Sequence, residues 1–347
     1  MKKRGIGIAS LVHPNSVRYY YDSEGSSCFV KVHDDGTVSV LSGARDMGQG
    51  ALTIVAQIVA EELGVRYEDV KVADSGGTEE LPDDLGAYAS RSTFISGRAA
   101  QVAAADAKQK LFKVAAKMLD ANPEDIVARD RKIFVKGSPE KSVNFADAVY
   151  AHMYDPKYTG HTLFLMGQSS IDVEGSEVPT RETGYGNSFC GNIFGSHVAE
   201  VEVDTETGEV RIIKQTAALD VGRVINPMGT EGQIEGAVLQ GYGWTLLENM
   251  IWEEGKTLNP NFLDYRIPTV FDAPEVQVVM VESHEPQGPF GAKGVGEPGM
   301  VPVAACINNA IYNAVGVRFN ELPITPEKVL KALKEKEEKD KAKKEES

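Results

Sequence analysis

The chain has 347 residues, which is enough for two or more packed units with a sizeable core. Its apolar content of 42% and charged content of 25% are ordinary for a soluble globular protein. The net charge of −15 argues against nucleic acid and against anionic membrane surfaces as partners.

The cysteines and the apolar runs indicate a reducing environment away from membranes. Cys28, Cys190 and Cys306 are scattered and show no Cys-x-x-Cys spacing, so we predict no disulfide framework and no cysteine-ligated metal. The basic N-terminus is followed only by a weakly apolar stretch, residues 6–12, and not by a signal peptide. No run approaches the ~20 apolar residues of a membrane span. We therefore expect a cytoplasmic protein.

The first predicted unit is a hairpin followed by a helix. Residues 28–33 alternate as a strand, Asp34-Asp35-Gly36 forms a turn, and residues 37–41 return as a second strand. A glycine-rich loop, residues 42–50, comes next. Residues 53–63 then carry apolar side chains at helical spacing and end at Gly64.

A long alanine-rich helix over about residues 96–119 and a connecting segment over 120–160 separate this unit from a second one. In the second unit, residues 199–203 and 210–215 form a predicted hairpin, and Gly232-Gln233 precedes a predicted helix over 234–247. Both units run strand, turn, strand, loop, Gly-Gln, helix. This order favours an internal repeat and an α+β fold.

We accordingly predict two subdomains, residues 1–165 and 166–330, the second with a strand over 276–282 and a helix over 301–315. The charged tail, residues 331–347, has almost nothing to bury and is predicted to be a frayed helix or a disordered segment.

Four glycine-containing loops are each predicted to precede a helix, namely residues 47–50, 86–97, 232–236 and 291–299. A helix N-terminus presents free N–H groups and a partial positive charge, which suits an anion such as phosphate. Gln49 and Gln233 would add side-chain amides, and Ser90-Arg91-Ser92-Thr93 would add hydroxyls and a guanidinium. The alternative is that these segments are ordinary loops and helix caps.

Glu297 is the one carboxylate inside the loop 291–299, which otherwise consists largely of glycine and proline. Glycines allow close approach to a ligand, and a carboxylate held away from water could act as a base near neutral pH. Residues 294–299 also fit Gly-x-Gly-x-x-Gly, but a long loop separates them from the preceding strand. The acidic residue expected about 20 positions further on is also missing, so we reject a dinucleotide site.

The remaining reactive side chains give weaker signals. The histidines lack paired spacing, so a metal ligated by protein side chains is not predicted. Cys190 lacks a nucleophile signature. Tyr19-Tyr20-Tyr21 beside Arg18 would either line a pocket or begin a strand.

Six motifs, in matching order and spacing over roughly residues 3–330, resemble the molybdenum hydroxylases, the xanthine dehydrogenase and aldehyde oxidoreductase family. They are residues 46–50 with Thr53, 90–93 with Gly97, 220–222 with Asn226-Pro227, 232–237, Gln240-Gly241 and 293–297.

The resemblance implies a role for each matching residue. Glu297 would be the general base, and the metal would be held by the pterin sulfurs and by no side chain. The residues expected to contact the cofactor are Met47, Gly48, Gln49, Ala89, Ser90, Ser92 and Gln233. The cofactor would be molybdopterin, in its cytosine dinucleotide form, with molybdenum.

The family's molybdenum-binding chain is much longer than this one, and the Gly-Gly-Phe-Gly-type loop of its first half is not found here. The chain therefore resembles the C-terminal half of that chain, most closely the medium molybdopterin subunit of nicotinate dehydrogenase. The resemblance implies a large molybdopterin subunit, an iron–sulfur subunit with 2Fe-2S clusters and a flavin subunit with FAD as partners.

By the same resemblance, the complex would hydroxylate a small N-heteroaromatic substrate, with nicotinate favoured over a purine such as xanthine. Two alternatives remain open at this stage: a subunit of an aromatic CoA-thioester reductase, and a non-catalytic assembly protein. An incomplete site also implies an exposed apolar face on this chain and an interface above ~2,000 Å² with the missing half.

Overall fold

The computed structural model describes residues 1–18, 23–73, 76–158 and 163–345. The strands, in chain order, are β1 (Lys2–Pro14), β2 (Ser26–Val32), β3 (Val38–Ser42), β4 (Val70–Val72), β5 (Ile126–Arg129), β6 (Lys132–Val135), β7 (Ser138–Asn144), β8 (Leu165–Ile171), β9 (Asn192–Asp204), β10 (Val210–Asp220), β11 (Trp252–Glu253), β12 (Lys256–Thr257) and β13 (Glu275–Val281). The α-helices are α1 (Ala51–Leu63), α2 (Gly97–Leu119), α3 (Phe145–Tyr154), α4 (Pro227–Leu246), α5 (Val303–Val315) and α6 (Pro326–Glu345).

Two four-stranded sheets repeat one topology. The first has the order β4-β3-β2-β8 and the second the order β13-β10-β9-β1. In each, an antiparallel hairpin is followed by a helix and then by a strand parallel to the second hairpin strand. A second helix follows and packs on the hairpin's first strand and the outer strand beside it. The α+β class and the two related units are therefore confirmed.

Each sheet has its core on the face that its helices cover. In the first sheet, alternate residues Cys28, Val30 and Val32 of β2 point inward, as the period of two along a strand requires. They meet the alanine-rich face of α2, which includes Ala99 and Ala103. In the second sheet, inward residues of β9 and β10 meet α4 and α5.

The sheets do not divide at residue 165, where the sequence analysis placed the subdomain boundary. Strand β1 lies in the first predicted subdomain but pairs along its whole length with β9, from Lys2 opposite Asp204 to Pro14 opposite Asn192. Strand β8 begins at Leu165 and pairs with β2. The prediction followed chain order, whereas pairing between distant segments decides which sheet an edge strand joins.

The tail forms a helix over most of its length. Helix α6 extends to Glu345, and Val329 in its first turn is fully buried. The Nζ atom of Lys336 donates to the carbonyl of Val315 at 2.8 Å, which caps the end of α5. Beyond that point the side chains are mostly exposed, as expected from their charge.

No helix in these described ranges has the length and apolar character that a membrane crossing needs.

Glycines let the edge strand β1 lie directly on α5. A Cβ atom at Gly7 would lie 2.2 Å from the backbone nitrogen of Ala310 and 2.3 Å from the carbonyl oxygen of Cys306. The first sheet repeats this device, because a Cβ at Gly167 of β8 would lie 1.9 Å from the carbonyl oxygen of Ala103 in α2. The close approach of strand to helix therefore depends on the missing side chain.

We predict that Gly7→Ala lowers the free energy of unfolding by about 1–3 kcal/mol, because backbone atoms of α5 must move away from β1. Chemical denaturation of the two proteins measures the effect. Gly232→Ala is the matched control, since a Cβ there meets nothing within 4 Å and the residue lies in α4. An unchanged midpoint for Gly7→Ala would contradict the packing described here.

Candidate functional site

The loop that carries Glu297 connects β13 to α5 and is tied to the second sheet by a nearly buried ion pair. The Nζ atom of Lys293 lies 2.7 Å from Asp220 Oδ2, at the end of β10, and 2.7 Å from the carbonyl oxygen of Asn192. Burial of Asp220 opposes ionisation, but the hydrogen bond from Lys293 and those of other donors hold the pKa of Asp220 below its usual value. The pair fixes the start of the loop.

The same loop packs against residues 89–90 of the first unit. A Cβ at Gly294 would lie 1.7 Å from the carbonyl oxygen of Ser90, so only glycine permits this approach. The Gly294 amide donates to Asn15 Oδ1 at 3.0 Å, and the Glu297 amide donates to Ser90 Oγ at 3.0 Å. These contacts bring the two units together at Glu297.

Ala89 and Ser90 both adopt left-handed backbone conformations, with φ of 47° and 53°. Such conformations cost about 1–3 kcal/mol each for residues other than glycine and persist only when their surroundings enforce them. Ser16, itself at φ 73°, donates its amide to the Ala89 carbonyl at 2.8 Å. Strain of this kind is typical of functional sites.

Arg91 directly follows this strained segment, and it is fully buried. Its Nε donates to Glu24 Oε1 at 2.7 Å and its Nη1 to Asp84 Oδ1 at 2.6 Å. It also donates to the carbonyls of Gly86 and Gly25. The guanidinium was considered as part of an anion site, with an ordinary loop as the alternative; in this structure its charge is paired inside the protein.

Hydroxyl groups complete the hydrogen bonding of these two carboxylates. Ser16 and Tyr88 donate to Glu24, and Ser26 and Ser96 donate to Asp84. Burial of Asp84 opposes ionisation, yet the charge of Arg91 and these hydrogen bonds hold the pKa of Asp84 below its usual value. The cluster links the start of β2 to the loop before α2.

Two hydrogen-bond donors hold the carboxylate of Glu297, one on each of its oxygens. His13 Nε2 lies 3.0 Å from Oε2, and the amide of Ala89 lies 3.2 Å from Oε1. The hydrogen bond from His13 lowers the pKa of Glu297, while partial burial opposes the shift. A carboxylate at this position was predicted to be withdrawn from water, but the Glu297 side chain is 48% exposed. It is ionised at neutral pH and can accept a proton.

The loop before α1 uses its polar groups internally. Asp46 accepts from the amides of Gly48, Gly50 and Leu52, so the N-terminus of α1 is capped by a carboxylate of its own chain. The amide oxygen of Gln49 accepts from the Met47 N–H, and Nε2 donates to a backbone carbonyl at 2.7 Å. The predicted free anion site at this helix end is therefore already occupied.

Gln233 lies inside α4 and not in a loop before it. The helix begins at Pro227, where Asn226 is the N-cap and its Oδ1 accepts from the Gly229 amide at 2.9 Å. The side chain of Gln233 is half-buried in the second turn. The following turn contacts the Glu297 loop, since a Cβ at Gly299 would lie 2.9 Å from Ala237 Cβ.

Among the predicted residues, the structure thus brings Ala89, Ser90 and Glu297 into direct contact. Ser92 lies half-buried in a π-helical turn, Ser92–Ser96, directly before α2. The exposed Met47, with Gly48 and Gln49, belongs to the loop before α1.

Sequence reasoning missed His13 and Asn15, which meet the Glu297 loop from the end of β1. His13 was counted among the histidines without paired spacing and predicted to be a surface or structural side chain, and Asn15 was not singled out. His197 is a core residue, where burial lowers its pKa to about 4. Cys190 is buried. Residues 19–21, the tyrosines considered for a pocket, lie outside the described residues.

Within the described ranges, no cluster of three or more His, Cys, Asp or Glu side chains could hold a metal ion. The residues around Glu297 offer hydroxyls, amides and open backbone instead. Asn15 Nδ2 is buried without a partner, and a Cβ at Gly296 would meet only Ser90 Oγ, at 3.8 Å. This donor set fits an organic cofactor rich in hydrogen-bonding groups.

Comparison with known proteins assigns the chain to a family. Residues 1–274 match the model of the molybdopterin cofactor-binding domain. The chain is 34% identical over 330 residues to the putative xanthine dehydrogenase molybdenum-binding subunit of Escherichia coli (strain K12), covering 94% of this chain and 42% of that protein. It is also 34% identical over 336 residues to the gamma subunit of the 6-hydroxypseudooxynicotine dehydrogenase complex of Paenarthrobacter nicotinovorans, covering 94% and 39%.

A solved structure is similar in fold. Quinoline 2-oxidoreductase from Pseudomonas putida 86 matches with a TM-score of 0.84 and 30% identity, over 96% of this chain and 42% of that chain. The chain thus spans less than half the length of each of these relatives.

We predict that Arg91→Met lowers the free energy of unfolding by about 3–5 kcal/mol, because two buried carboxylates lose their counter-charge. Asp84→Asn, which removes one charge and keeps the shape, is expected to cost less. Urea denaturation measures both. Arg66→Met is the control, since its pair with Asp130 is exposed and is worth about 1 kcal/mol or less. Equal losses for Arg91→Met and the control would contradict the role of the cluster.

Proposed function

The chain belongs to the molybdenum hydroxylase family, and from that premise we propose that it is a molybdopterin-binding subunit of a heteromeric hydroxylase. The reaction would insert water-derived oxygen at an electron-poor carbon of an N-heteroaromatic substrate. The observation that carries this proposal is the Glu297 carboxylate, which two donors align while its side chain stays about half open to a ligand.

We assign Glu297 the role of general base. Its carboxylate is ionised, its backbone is fixed by Ser90, and its loop is anchored by Lys293. When bound, the molybdenum cofactor would supply the two-electron redox chemistry of the reaction. The protein's own contribution is to hold the base in place and to accept the proton released as the substrate is attacked.

Seven residues are proposed to contact the cofactor. Ala89 and Ser90 are the best placed, because their strained segment touches the Glu297 loop. Gln49 would have to exchange its two internal hydrogen bonds for cofactor contacts. The full set is Met47, Gly48, Gln49, Ala89, Ser90, Ser92 and Gln233.

Nicotinate is our first proposed substrate and xanthine is the second. The relatives support an N-heteroaromatic substrate but do not distinguish nicotinate from xanthine, since one relative is named for xanthine and another for quinoline. We further propose the cytosine dinucleotide form of the pterin, with 2Fe-2S clusters and FAD on partner subunits in the cytoplasm. Three buried free cysteines agree with a reducing compartment.

The proposed partner is the polypeptide that carries the rest of the molybdopterin-binding region, which the sequence analysis expects on a large subunit. The relatives are more than twice as long as the aligned region. Part of the outer face of the second sheet is apolar: Ile8 on β1, Val198 and Phe194 on β9 and Val279 on β13 are all exposed. We call these four residues the open face and propose that the partner covers it.

The first experiment is the metal content of the complex that co-purifies with this chain. We expect molybdenum and a releasable pterin, and activity on an N-heteroaromatic compound. Glu297→Gln should keep the metal content and lower kcat by about 10²–10⁴-fold, because an amide cannot accept the proton. Glu140→Gln on β7, an exposed glutamate in a different sheet, is the control. Near-normal turnover in Glu297→Gln would refute the assignment.

A second experiment tests the open face. Phe194→Lys places a charge on the open face and should abolish co-purification with the partner, since obligate interfaces bury more than ~2,000 Å² of mostly apolar surface. Tyr150→Lys, at an exposed position on α3, is the matched control and should leave the complex intact. Association that survives Phe194→Lys would show that the partner binds elsewhere.

A further inference from the structure

His13 makes two hydrogen-bond contacts that together determine where its protons lie. At the end of β1, its Nδ1 lies 2.7 Å from the Pro14 carbonyl oxygen, and its Nε2 lies 3.0 Å from Glu297 Oε2. The side chain is only 14% exposed, so water does not readily replace either partner. No motif in the sequence predicted this contact.

Counting donors and acceptors gives the protonation state of the pair. A carbonyl oxygen only accepts, so Nδ1 must carry a proton. An ionised carboxylate also only accepts, so a neutral His13 would direct its Nε2 lone pair at a negatively charged oxygen. The contact at 3.0 Å is favourable only when a proton lies between Nε2 and Oε2.

We propose that His13 is the positioning residue for the base: it shares one proton with Glu297 and thereby fixes which carboxylate oxygen stays free to react. The inference rests on the proposed role of Glu297. At rest the pair holds one proton on His13, as imidazolium and carboxylate. When Glu297 takes up a proton from the substrate side, the pair holds two, and one returns to solvent before the next turnover.

The two oxygens of the Glu297 carboxylate have different hydrogen-bond donors. Oε2 is bound to His13, a charged donor, whereas Oε1 has only the longer contact of 3.2 Å to the Ala89 amide. Hydrogen bonds to charged groups are the stronger kind. Oε1 is therefore the oxygen that accepts the proton, and it lies beside the strained residues proposed to contact the cofactor.

The protonation state can be measured in the full chain without cofactor. With ¹⁵N-labelled histidine, near neutral pH, we expect the ring nitrogens of His13 to give the signature of an imidazolium. In Glu297→Gln, whose amide can itself donate to Nε2, the signature should become that of a neutral ring protonated at Nδ1. His33, whose Nε2 contacts Ser39 Oγ, should not change. A neutral His13 in the unchanged protein would overturn the proposal.

Turnover of the assembled complex separates proton sharing from simple support. His13→Gln keeps an N–H donor but cannot hold the extra proton, and His13→Leu keeps neither. We expect unchanged molybdenum content and unchanged KM, with kcat lowered about 10-fold in His13→Gln and further in His13→Leu. A kcat in His13→Gln equal to that of the unchanged protein would mean that a plain N–H hydrogen bond to Glu297 is sufficient, and would overturn the proposal.

The two proposals fail in different ways. A complex without molybdenum or pterin would defeat the proposed function, while the labelled-histidine spectrum would still decide the pairing of His13 with Glu297. A loaded, active complex with a neutral His13 would defeat only the inference made here.

Discussion

The buried guanidinium of Arg91 is the constraint on which the site depends. One positive charge holds two carboxylates, Glu24 and Asp84, in a space closed to water. Such a cluster is tolerated only when every oxygen finds a donor, and here hydroxyls and a backbone amide complete the set. The cluster fixes the residue that directly follows Ala89 and Ser90, whose left-handed conformations place the Ala89 amide and the Ser90 hydroxyl against Glu297.

The catalytic candidate lies where the two units meet, and neither unit contains it alone. Glu297 comes from the second unit, while its donor Ala89 and its backbone partner Ser90 come from the first. The approach is set by Gly294, which has no space for a Cβ. Strand β1 pairs with β9 in the second sheet, and His13 near its end contacts Glu297 at this junction. The position of His13 beside the candidate base therefore depends on the packing of the second unit.

The spacing of apolar residues along the sequence predicted the individual strands and helices, because each has one buried face. The alternation of apolar residues along β2 predicted a strand, and the alanine-rich face of α2 predicted a helix. The partner of β1 was not, since pairing Lys2 with Asp204 leaves no mark in either neighbourhood. Glu297, Ala89 and Ser90 came from a family resemblance. His13 did not, because its role is created by a contact between distant segments and not by a motif.

Two opposing effects set the pKa of Glu297: hydrogen bonds lower it and burial raises it. Its donors lower its pKa, which keeps it ionised but makes it a weaker base. Covering the site with further polypeptide would remove water from the half-exposed carboxylate and raise its pKa, strengthening the base without displacing His13 or Ala89. Burial by a partner and hydrogen bonds from this chain therefore act in opposite directions on one group. A base that ionises readily and still accepts a proton needs both, so a partner that covered Glu297 would also tune its reactivity.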